Sequence, residues 1–330
     1  MIDVKMWGRA LAQMPKLSRS EWLAMDPVAK WLIACRASVL FMTFTASGLG
    51  GLMAWRDGVF SLDLWLATVL GLIFAHATNN LLNDFTDSRR GIDKDNYYRN
   101  QYGVHVLEDG LMSERQFWAY LGVTAGIALL LGAWLITQRS GLTLDLMLAG
   151  SFFVLFYTWP LKYYGLGEPA VLLVWGPLMV GGSYYVLAGQ WSWSVTWLSL
   201  VFALGPTTVL FGKHTDKLEA DRAKGVHTLP EILGESLSRR CVVAMIAAQY
   251  LLCLVLVATG SFGWALLLVF ANLPKLPALF AVFSAPKPAA RPEQYPPGVW
   301  PLWFSARAFL HTRQFTSLFL VGVILDTLLS

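Results

Sequence analysis

The sequence contains few charged residues. Aspartate, glutamate, lysine and arginine make up 14% of its 330 residues, whereas hydrophobic residues make up 56%. A typical soluble domain carries about 25% charged residues, so this chain has too few to cover soluble domains of the same total length. The composition therefore excludes a soluble enzyme, a soluble DNA-binding protein and a disordered chain. It predicts an integral membrane protein.

Cysteine is also scarce. The three cysteines, Cys35, Cys241 and Cys253, lie in apolar runs and form neither a CxxC motif nor a Cys/His spacing. This pattern excludes a disulfide framework and a zinc site and predicts small buried side chains. Residues 1–30 lack the continuous apolar stretch of a signal peptide. We expect them to form an interfacial amphipathic segment, followed by a single transmembrane domain over residues 31–330.

Long apolar runs dominate the rest of the chain. A helix crosses the hydrocarbon layer with about 20 mainly apolar residues, and nine runs approach this length. Because lipid offers no partner to an unpaired backbone group, the predicted fold is an all-α polytopic membrane bundle. The nine predicted spans are Trp31–Trp55, Leu62–Asn83, Phe117–Thr137, Leu144–Trp159, Ala170–Ala188, Ser194–Gly212, Cys241–Ala258, Gly263–Phe283 and Phe315–Leu329.

The lysines and arginines are distributed unevenly between the two sides of this predicted bundle. Of the 25, 21 fall on the side of the N-terminus and the longer loops, only Arg56 and Arg139 fall on the other side, and Arg36 and Lys275 lie within spans. The positive-inside rule then places the N-terminus and the long loops in the cytoplasm, as in a bacterial-type plasma membrane. The net charge of +4 is explained by this excess of basic residues on the cytoplasmic side. It is therefore no sign of a nucleic-acid partner, and none is expected.

A polar cluster occurs at the end of the second predicted span, between Asn79 and Asp93. Asn80, Asp84 and Asp87 follow one another at intervals of four and three residues, so a continuing helix places them on one face. Neighbouring carboxylates repel one another unless a cation lies among them, and Mg²⁺ prefers such oxygen ligands. A solvated helix end is the alternative, but acidic residues there oppose the helix dipole. We therefore interpret this cluster as a magnesium site.

A second polar cluster follows the sixth predicted span, from Lys213 to Gly225, and mixes acidic with basic side chains. Such a mixture suits a metal-chelated polyanion, although a solvated loop has a similar composition. Both clusters are predicted on the cytoplasmic side, one after span two and the other after span six. This arrangement predicts two four-helix halves and a ninth helix around a central cavity that opens to the cytoplasm.

These motifs resemble those of the UbiA-type superfamily of intramembrane prenyltransferases, over nearly the whole chain. The family's first Asp-rich motif is similar to Asn80-x-x-Asn83-Asp84-x-x-Asp87-x5-Asp93, and the end of its second motif resembles Asp221-Arg222-x-x-Gly225-x-x-Thr228-Leu229-Pro230. The branch that prenylates 1,4-dihydroxy-2-naphthoate in menaquinone synthesis is similar in further segments, which include Trp31-x4-Arg36 and Tyr157-Thr158.

The second motif departs from the family pattern. The family has two aspartates four residues apart, whereas Asp216 and Asp221 are five residues apart, or about 140° apart on an ideal helix. Counting back from Asp221 places Lys217 where the first aspartate is expected. Either Asp216 substitutes for it through a kinked helix, with help from Glu219, or the second metal site is weakened.

The resemblance implies Mg²⁺-dependent transfer of a prenyl chain from its diphosphate to a small aromatic acceptor, similar to a quinone precursor, within the lipid membrane. Two Mg²⁺ ions are expected. The implied catalytic and metal-binding residues are Asp84, Asp87, Asp93, Asp216 and Asp221. The candidate substrate-binding residues are Arg36, Asn80, Asn83, Tyr157, Lys162, Lys213, Lys217, Arg222 and Lys224.

Two other functions are compatible with parts of this pattern. A terpene cyclase on the same scaffold would use the same metal ions but quench the carbocation internally, without an acceptor. A secondary transporter typically binds its ions near the bilayer midplane on broken helices, whereas these acidic residues are predicted at helix ends. The sequence therefore favours the transferase.

Overall fold

The computed structural model describes residues 2–92 and 103–329, and these residues form helices and connecting segments. Within them the single β-type contact is an isolated bridge between Tyr164 and His227. The predicted all-α class is therefore confirmed. The chain divides into two compact units, Met1–Ser47 with Leu62–Trp159, and Gly48–Ser61 with Pro160–Ser330.

The first unit begins with three short helices and continues with long ones. Some of these helices start at a local capping motif: the Asp26 side chain and Pro27 begin α3, and reciprocal Ser113–Gln116 bonds precede α6. Phe117 and Leu81 are fully buried in its core. Its helices are α1 (Val4–Ala12), α2 (Arg19–Ala24), α3 (Pro27–Ala34), the first half of α4 (Ala37–Arg56), α5 (Leu62–Arg89), α6 (Glu114–Gln138) and α7 (Leu142–Phe156).

The second unit contains the end of α4 and the remaining helices. A π-helical stretch, Val174–Gly181, interrupts α8 at Pro177, because proline removes one backbone donor. The helices are α8 (Gly167–Ala188), α9 (Trp193–Thr215), α10 (Leu218–Ala223), α11 (Leu229–Ala258), α12 (Trp264–Ser284) and α13 (Phe304–Leu329).

Gly212 lies where α9 packs closely against α13. A Cβ atom on Gly212 would lie 2.8 Å from the backbone of Ser305, so only glycine lets the two backbones approach this closely, as in other small-residue contacts between membrane helices. The contact brings the end of α9 to the beginning of α13. It therefore places the second polar cluster beside that helix start.

Eight helices among the described residues are long and apolar enough to cross a membrane: α4, α5, α6, α8, α9, α11, α12 and α13. The predicted fourth span corresponds to α7, which has only 15 residues, so the predicted count of nine is not confirmed. The first predicted span is not one helix, because the chain breaks between α3 and α4 at Arg36. The last helix begins at Phe304, eleven residues before its predicted start.

The three cysteines are free, as the sequence predicts. Cys35 and Cys253 are fully buried, and Cys241 is half-buried. They pack as small apolar side chains.

Candidate active site

The first polar cluster lies on the last turns of α5. The helix continues to Arg89, so Asp84 and Asp87, three residues apart, share one face of it. Both side chains are buried, with exposed fractions of 2% and 5%. Two buried carboxylates so close together require compensating positive charge, because burying an unpaired anion is costly.

Part of that charge comes from Arg36. Its Nη2 lies 3.4 Å from Oδ1 of Asp84, and it donates to the main-chain oxygen of Asn80 at 3.1 Å. Arg36 also lies at the break between α3 and α4 and has a φ of 56°, a left-handed conformation that is unfavourable for a residue with a side chain. Strain of this kind, about 1–3 kcal/mol, is typical of functional sites. Here it accompanies the direct contact of Arg36 with the acidic face of α5.

The asparagines of this cluster form hydrogen bonds to neighbouring segments of the chain. The amide oxygens of Asn80 and Asn83 both accept from Arg36 Nη2 at 3.3 Å. Their amide groups donate elsewhere, Asn80 to the Cys35 carbonyl at 2.9 Å and Asn83 to Thr158 Oγ1 at 3.1 Å. The family resemblance implies that these asparagines bind substrate. The contacts show that they join α5 to the α3–α4 break and to the end of α7.

The donors at this cluster fit Mg²⁺. Carboxylate oxygens are hard ligands, and Mg²⁺ commonly binds one or two carboxylates together with water and substrate phosphate. Asp84 and Asp87 supply such oxygens from one helix face. The third predicted ligand, Asp93, lies outside the described residues. Within the described residues, no group of three histidine, cysteine, aspartate or glutamate side chains is placed to hold a metal ion.

The second polar cluster lies where α9 ends. Asp216 follows the last residue of α9, and its Oδ1 and Oδ2 accept from the backbone N–H groups of Phe304 and Ser305 at 2.9 and 3.0 Å. It therefore caps the start of α13. Burial raises the pKa of the Asp216 carboxyl to about 6, while the Ser305 N–H bond and the charge of Lys287 oppose that rise. Both carboxylate oxygens are thus engaged by the chain itself.

Lys217 takes the position that the family motif gives to an aspartate. Its Nζ donates to Oδ1 of Asp221 at 2.7 Å, one helical turn away. Glu219, between them, is exposed. Because the chain breaks between α9 and α10, Asp216 and Asp221 contact different partners. This geometry favours a weakened second metal site over a substitution by Asp216 and Glu219.

The other predicted substrate-binding residues differ in exposure. Lys162 is buried in the short turn before α8, whereas Lys213 and Tyr157 are half-buried at the ends of α9 and α7. Arg222 and Lys224 are exposed, and Arg222 Nε donates to Glu231 Oε1 at 2.8 Å. Burial makes Lys162 and Lys213 stronger candidates for a specific role than Arg222 and Lys224, because exposed cations contribute little to a fixed contact.

The sequence analysis did not single out a buried pair beside the second cluster. His214 Nδ1 and Glu168 Oε1 lie 2.5 Å apart, and the other carboxylate oxygen of Glu168 accepts from the Leu229 N–H at 3.3 Å. Both side chains are almost completely buried. Glu168 thus connects α8, the end of α9 and the start of α11. In the sequence, Glu168 is an acidic residue at the beginning of an apolar run, and His214 lies within the second polar cluster.

The described residues thus form apolar helices long enough to cross a membrane, with buried carboxylates at the ends of α5 and α9. The chain belongs to the UbiA prenyltransferase family, whose sequence model matches residues 40–293. It is therefore a prenyltransferase and an integral membrane protein. The resemblance inferred from the two motifs is confirmed.

Two bacterial relatives are similar over most of their length. The 2-carboxy-1,4-naphthoquinone phytyltransferase of Synechocystis is 28% identical, covering 78% of this chain and 80% of that protein. The 1,4-dihydroxy-2-naphthoate octaprenyltransferase of Escherichia coli is 28% identical, covering 74% of this chain and 82% of that protein. Both names describe the prenylation of a carboxylated naphthalene ring system.

A solved structure with the same fold is a UbiA homologue from Archaeoglobus fulgidus, bound to DMAPP and Mg²⁺. It superimposes with a TM-score of 0.58 and covers 88% of this chain and 99% of that one, at 15% identity. At this identity the likeness establishes the fold alone.

Proposed function

We propose that the protein transfers a prenyl chain from its diphosphate to an aromatic, quinone-precursor-like acceptor in a Mg²⁺-dependent reaction within the membrane. The observation that carries the proposal is the pair of buried carboxylates, Asp84 and Asp87, on one face of α5 beside Arg36. Two further observations support it: the naphthoate substrates named for the relatives and the DMAPP and Mg²⁺ of the archaeal homologue.

The first cluster provides the metal site in this proposal. Asp84, Asp87 and Asp93 would hold Mg²⁺, which supplies Lewis-acid neutralisation of the diphosphate as it leaves. Arg36 orients Asp84 and fixes Asn80 and Asn83 around it. The two ions expected from the sequence require acidic ligands at the second cluster as well, and there Asp221 shares its carboxylate with Lys217.

The rest of the machinery binds the diphosphate and keeps water out. Basic side chains are suited to phosphate oxygens, since charged hydrogen bonds to phosphate are strong. The apolar bundle accommodates the prenyl tail and shields an allylic carbocation from water, which would otherwise capture it. We assign the diphosphate and acceptor contacts to Arg36, Tyr157, Lys162, Lys213, Lys217, Arg222 and Lys224, and we rank the buried ones first.

A panel of acceptor compounds tests the proposed identity of the acceptor. Purified protein in lipid nanodiscs is given a prenyl diphosphate, Mg²⁺ and either 1,4-dihydroxy-2-naphthoate, 4-hydroxybenzoate or homogentisate, and the products are identified by mass spectrometry. We expect a prenylated product with the naphthoate at a rate at least about tenfold above the other two phenols. Cyclic hydrocarbon formed without any acceptor would instead support a terpene cyclase.

The proposed location is a bacterial-type plasma membrane, with the N-terminus and both polar clusters on the cytoplasmic side, in accordance with the asymmetry of basic residues. Single cysteines at Arg115, before the apolar part of α6, and at Ser140, after α6, test the orientation because both positions are exposed. In intact cells, a membrane-impermeant maleimide should label Ser140→Cys. It should label Arg115→Cys only after permeabilisation, and the reverse pattern would contradict the assignment.

A further inference from the structure

Asp216 is not available as a metal ligand in this structure. Its Oδ1 and Oδ2 accept from two consecutive backbone N–H groups at the start of α13, and its side chain has an exposed fraction of 0%. Withdrawing the carboxylate would leave both N–H groups buried without these bonds, which is energetically costly. Glu219 is exposed, so Asp221 is the one buried carboxylate of the second cluster that the chain does not use to cap a helix.

The remaining carboxylate already has a cation beside it. The ammonium of Lys217 lies 2.7 Å from Asp221 Oδ1, and the two side chains are largely buried, with exposed fractions of 12% and 5%. A divalent cation on the same carboxylate would lie within a few ångströms of this ammonium. At that distance and in partly buried surroundings, the repulsion between them is strong. The site is thus arranged for an ammonium ion.

We propose that Lys217 takes the place of a metal ion in the second cluster and binds a phosphate oxygen of the diphosphate directly. The inference rests on the proposed function, which supplies the diphosphate. An ammonium has three donors. Asp221 accepts one of them and holds the side chain in position, and the others are directed to the anion. Mg²⁺ is then bound at the first cluster alone, at one ion per chain.

The extra residue between Asp216 and Asp221 explains how this arrangement arises. With four residues between the two aspartates, α9 ends at Thr215 and α10 starts at Leu218. Asp216 then faces α13, and the following residue, Lys217, lies one turn from Asp221. A lysine in this position replaces the negative charge of a motif aspartate with a positive charge.

Metal counting and anion binding test this inference on the full-length protein in nanodiscs. The probes are Mn²⁺, counted by electron paramagnetic resonance, and inorganic pyrophosphate, measured by calorimetry in the presence of Mn²⁺. We expect one Mn²⁺ per wild-type chain. Lys217→Gln should weaken pyrophosphate binding about tenfold or more without changing that count, because it removes one charged hydrogen bond. Lys217→Arg, which keeps the charge, should stay within about threefold of wild type.

Lys217→Asp provides a gain-of-binding test. It creates two carboxylates one turn apart, so the Mn²⁺ count should rise to two. Lys275→Gln, which removes an exposed lysine elsewhere in the same unit, is the matched control and should change neither quantity. Two Mn²⁺ ions in the wild-type protein, or unchanged pyrophosphate binding in Lys217→Gln, would overturn the inference. If Lys217→Gln does not fold, the wild-type count alone decides.

These binding results are independent of the proposed transfer reaction. Pyrophosphate and Mn²⁺ undergo no prenyl transfer, so absence of a prenylated product would refute the proposed function without changing the counts. A second bound ion would refute the role of Lys217 while the transfer reaction remained intact.

Discussion

Replacing Asp84 or Asp87 with alanine is expected to reduce prenyl transfer at least about 10³-fold, because each substitution removes a ligand of the ion that neutralises the departing diphosphate. The two carboxylates lie on the same buried face of α5, and Arg36 contacts Asp84 from the break before α4. Diphosphate release and prenylated product should fall together. Both are measured in nanodiscs over a range of Mg²⁺ concentrations.

The matched control for these variants lies on the same helix. Asp63 is exposed in the first turn of α5, far along the helix from Asp84, and Asp63→Ala should transfer at the wild-type rate. Size-exclusion chromatography and thermal melting establish that all three variants remain folded. Full activity in folded Asp84→Ala and Asp87→Ala would show that neither carboxylate is needed to bind the metal ion.

Among single substitutions at the two polar clusters and their neighbours, Glu168→Ala is expected to cause the largest loss of stability. Glu168 is buried between His214 Nδ1 and the Leu229 N–H, so alanine leaves both groups without an acceptor. Each buried group left without its hydrogen-bond partner costs about 1–3 kcal/mol. For a domain of this size, that loss corresponds to a decrease of about 10 °C in melting temperature. The measurement is the temperature of half-unfolding in detergent micelles.

Two comparisons decide whether the loss comes from these bonds. Glu168→Gln keeps the shape and an acceptor oxygen, so it should recover part of the stability. Glu293→Ala, at an exposed position in the segment between α12 and α13, should melt within about 2 °C of wild type, since surface substitutions usually change stability by no more than about 0.5 kcal/mol. A Glu168→Ala protein as stable as the Glu293→Ala protein would contradict the connecting role assigned to Glu168.

The helices were predictable because their causes are local. Runs of about 20 apolar residues are sufficient to identify membrane spans, and the spacing of Asn80, Asp84 and Asp87 is sufficient to place them on one face once α5 continues to Arg89. The fourth predicted span shows the limit of this reasoning. Its apolar run is shorter than the roughly 20 residues that a span needs, and the α-helix there ends at Phe156, before the turn that contains Pro160 and Lys162.

The contacts of the site depend on tertiary structure and could not be predicted. Asp216 is adjacent to a family motif, but its partners lie 88 and 89 residues further along the chain. Glu168 and His214 are 46 residues apart. The family resemblance made Arg36 a candidate substrate-binding residue, but its left-handed backbone and its contact with Asp84 depend on the packing of α3, α4 and α5.

The family pattern was most informative where the chain departs from it. The five-residue spacing between Asp216 and Asp221 left two possibilities from sequence alone: Asp216 replaces the motif aspartate, or the second metal site is weakened. The structure favours the weakened metal site, because Asp216 caps α13 and Lys217 pairs with Asp221. One inserted residue in a helical motif thus changes which side chains lie together, as expected when each residue advances the helix by about 100°.

The most direct test of the central claim is the ratio of diphosphate released to acceptor prenylated by the wild-type protein. Nanodiscs receive a prenyl diphosphate, a naphthoate acceptor and Mg²⁺, and both products are quantified over time. The account predicts one diphosphate per prenylated acceptor, and neither product when the acceptor is omitted or Mg²⁺ is chelated. Diphosphate release without acceptor, or transfer that continues after chelation, would contradict it.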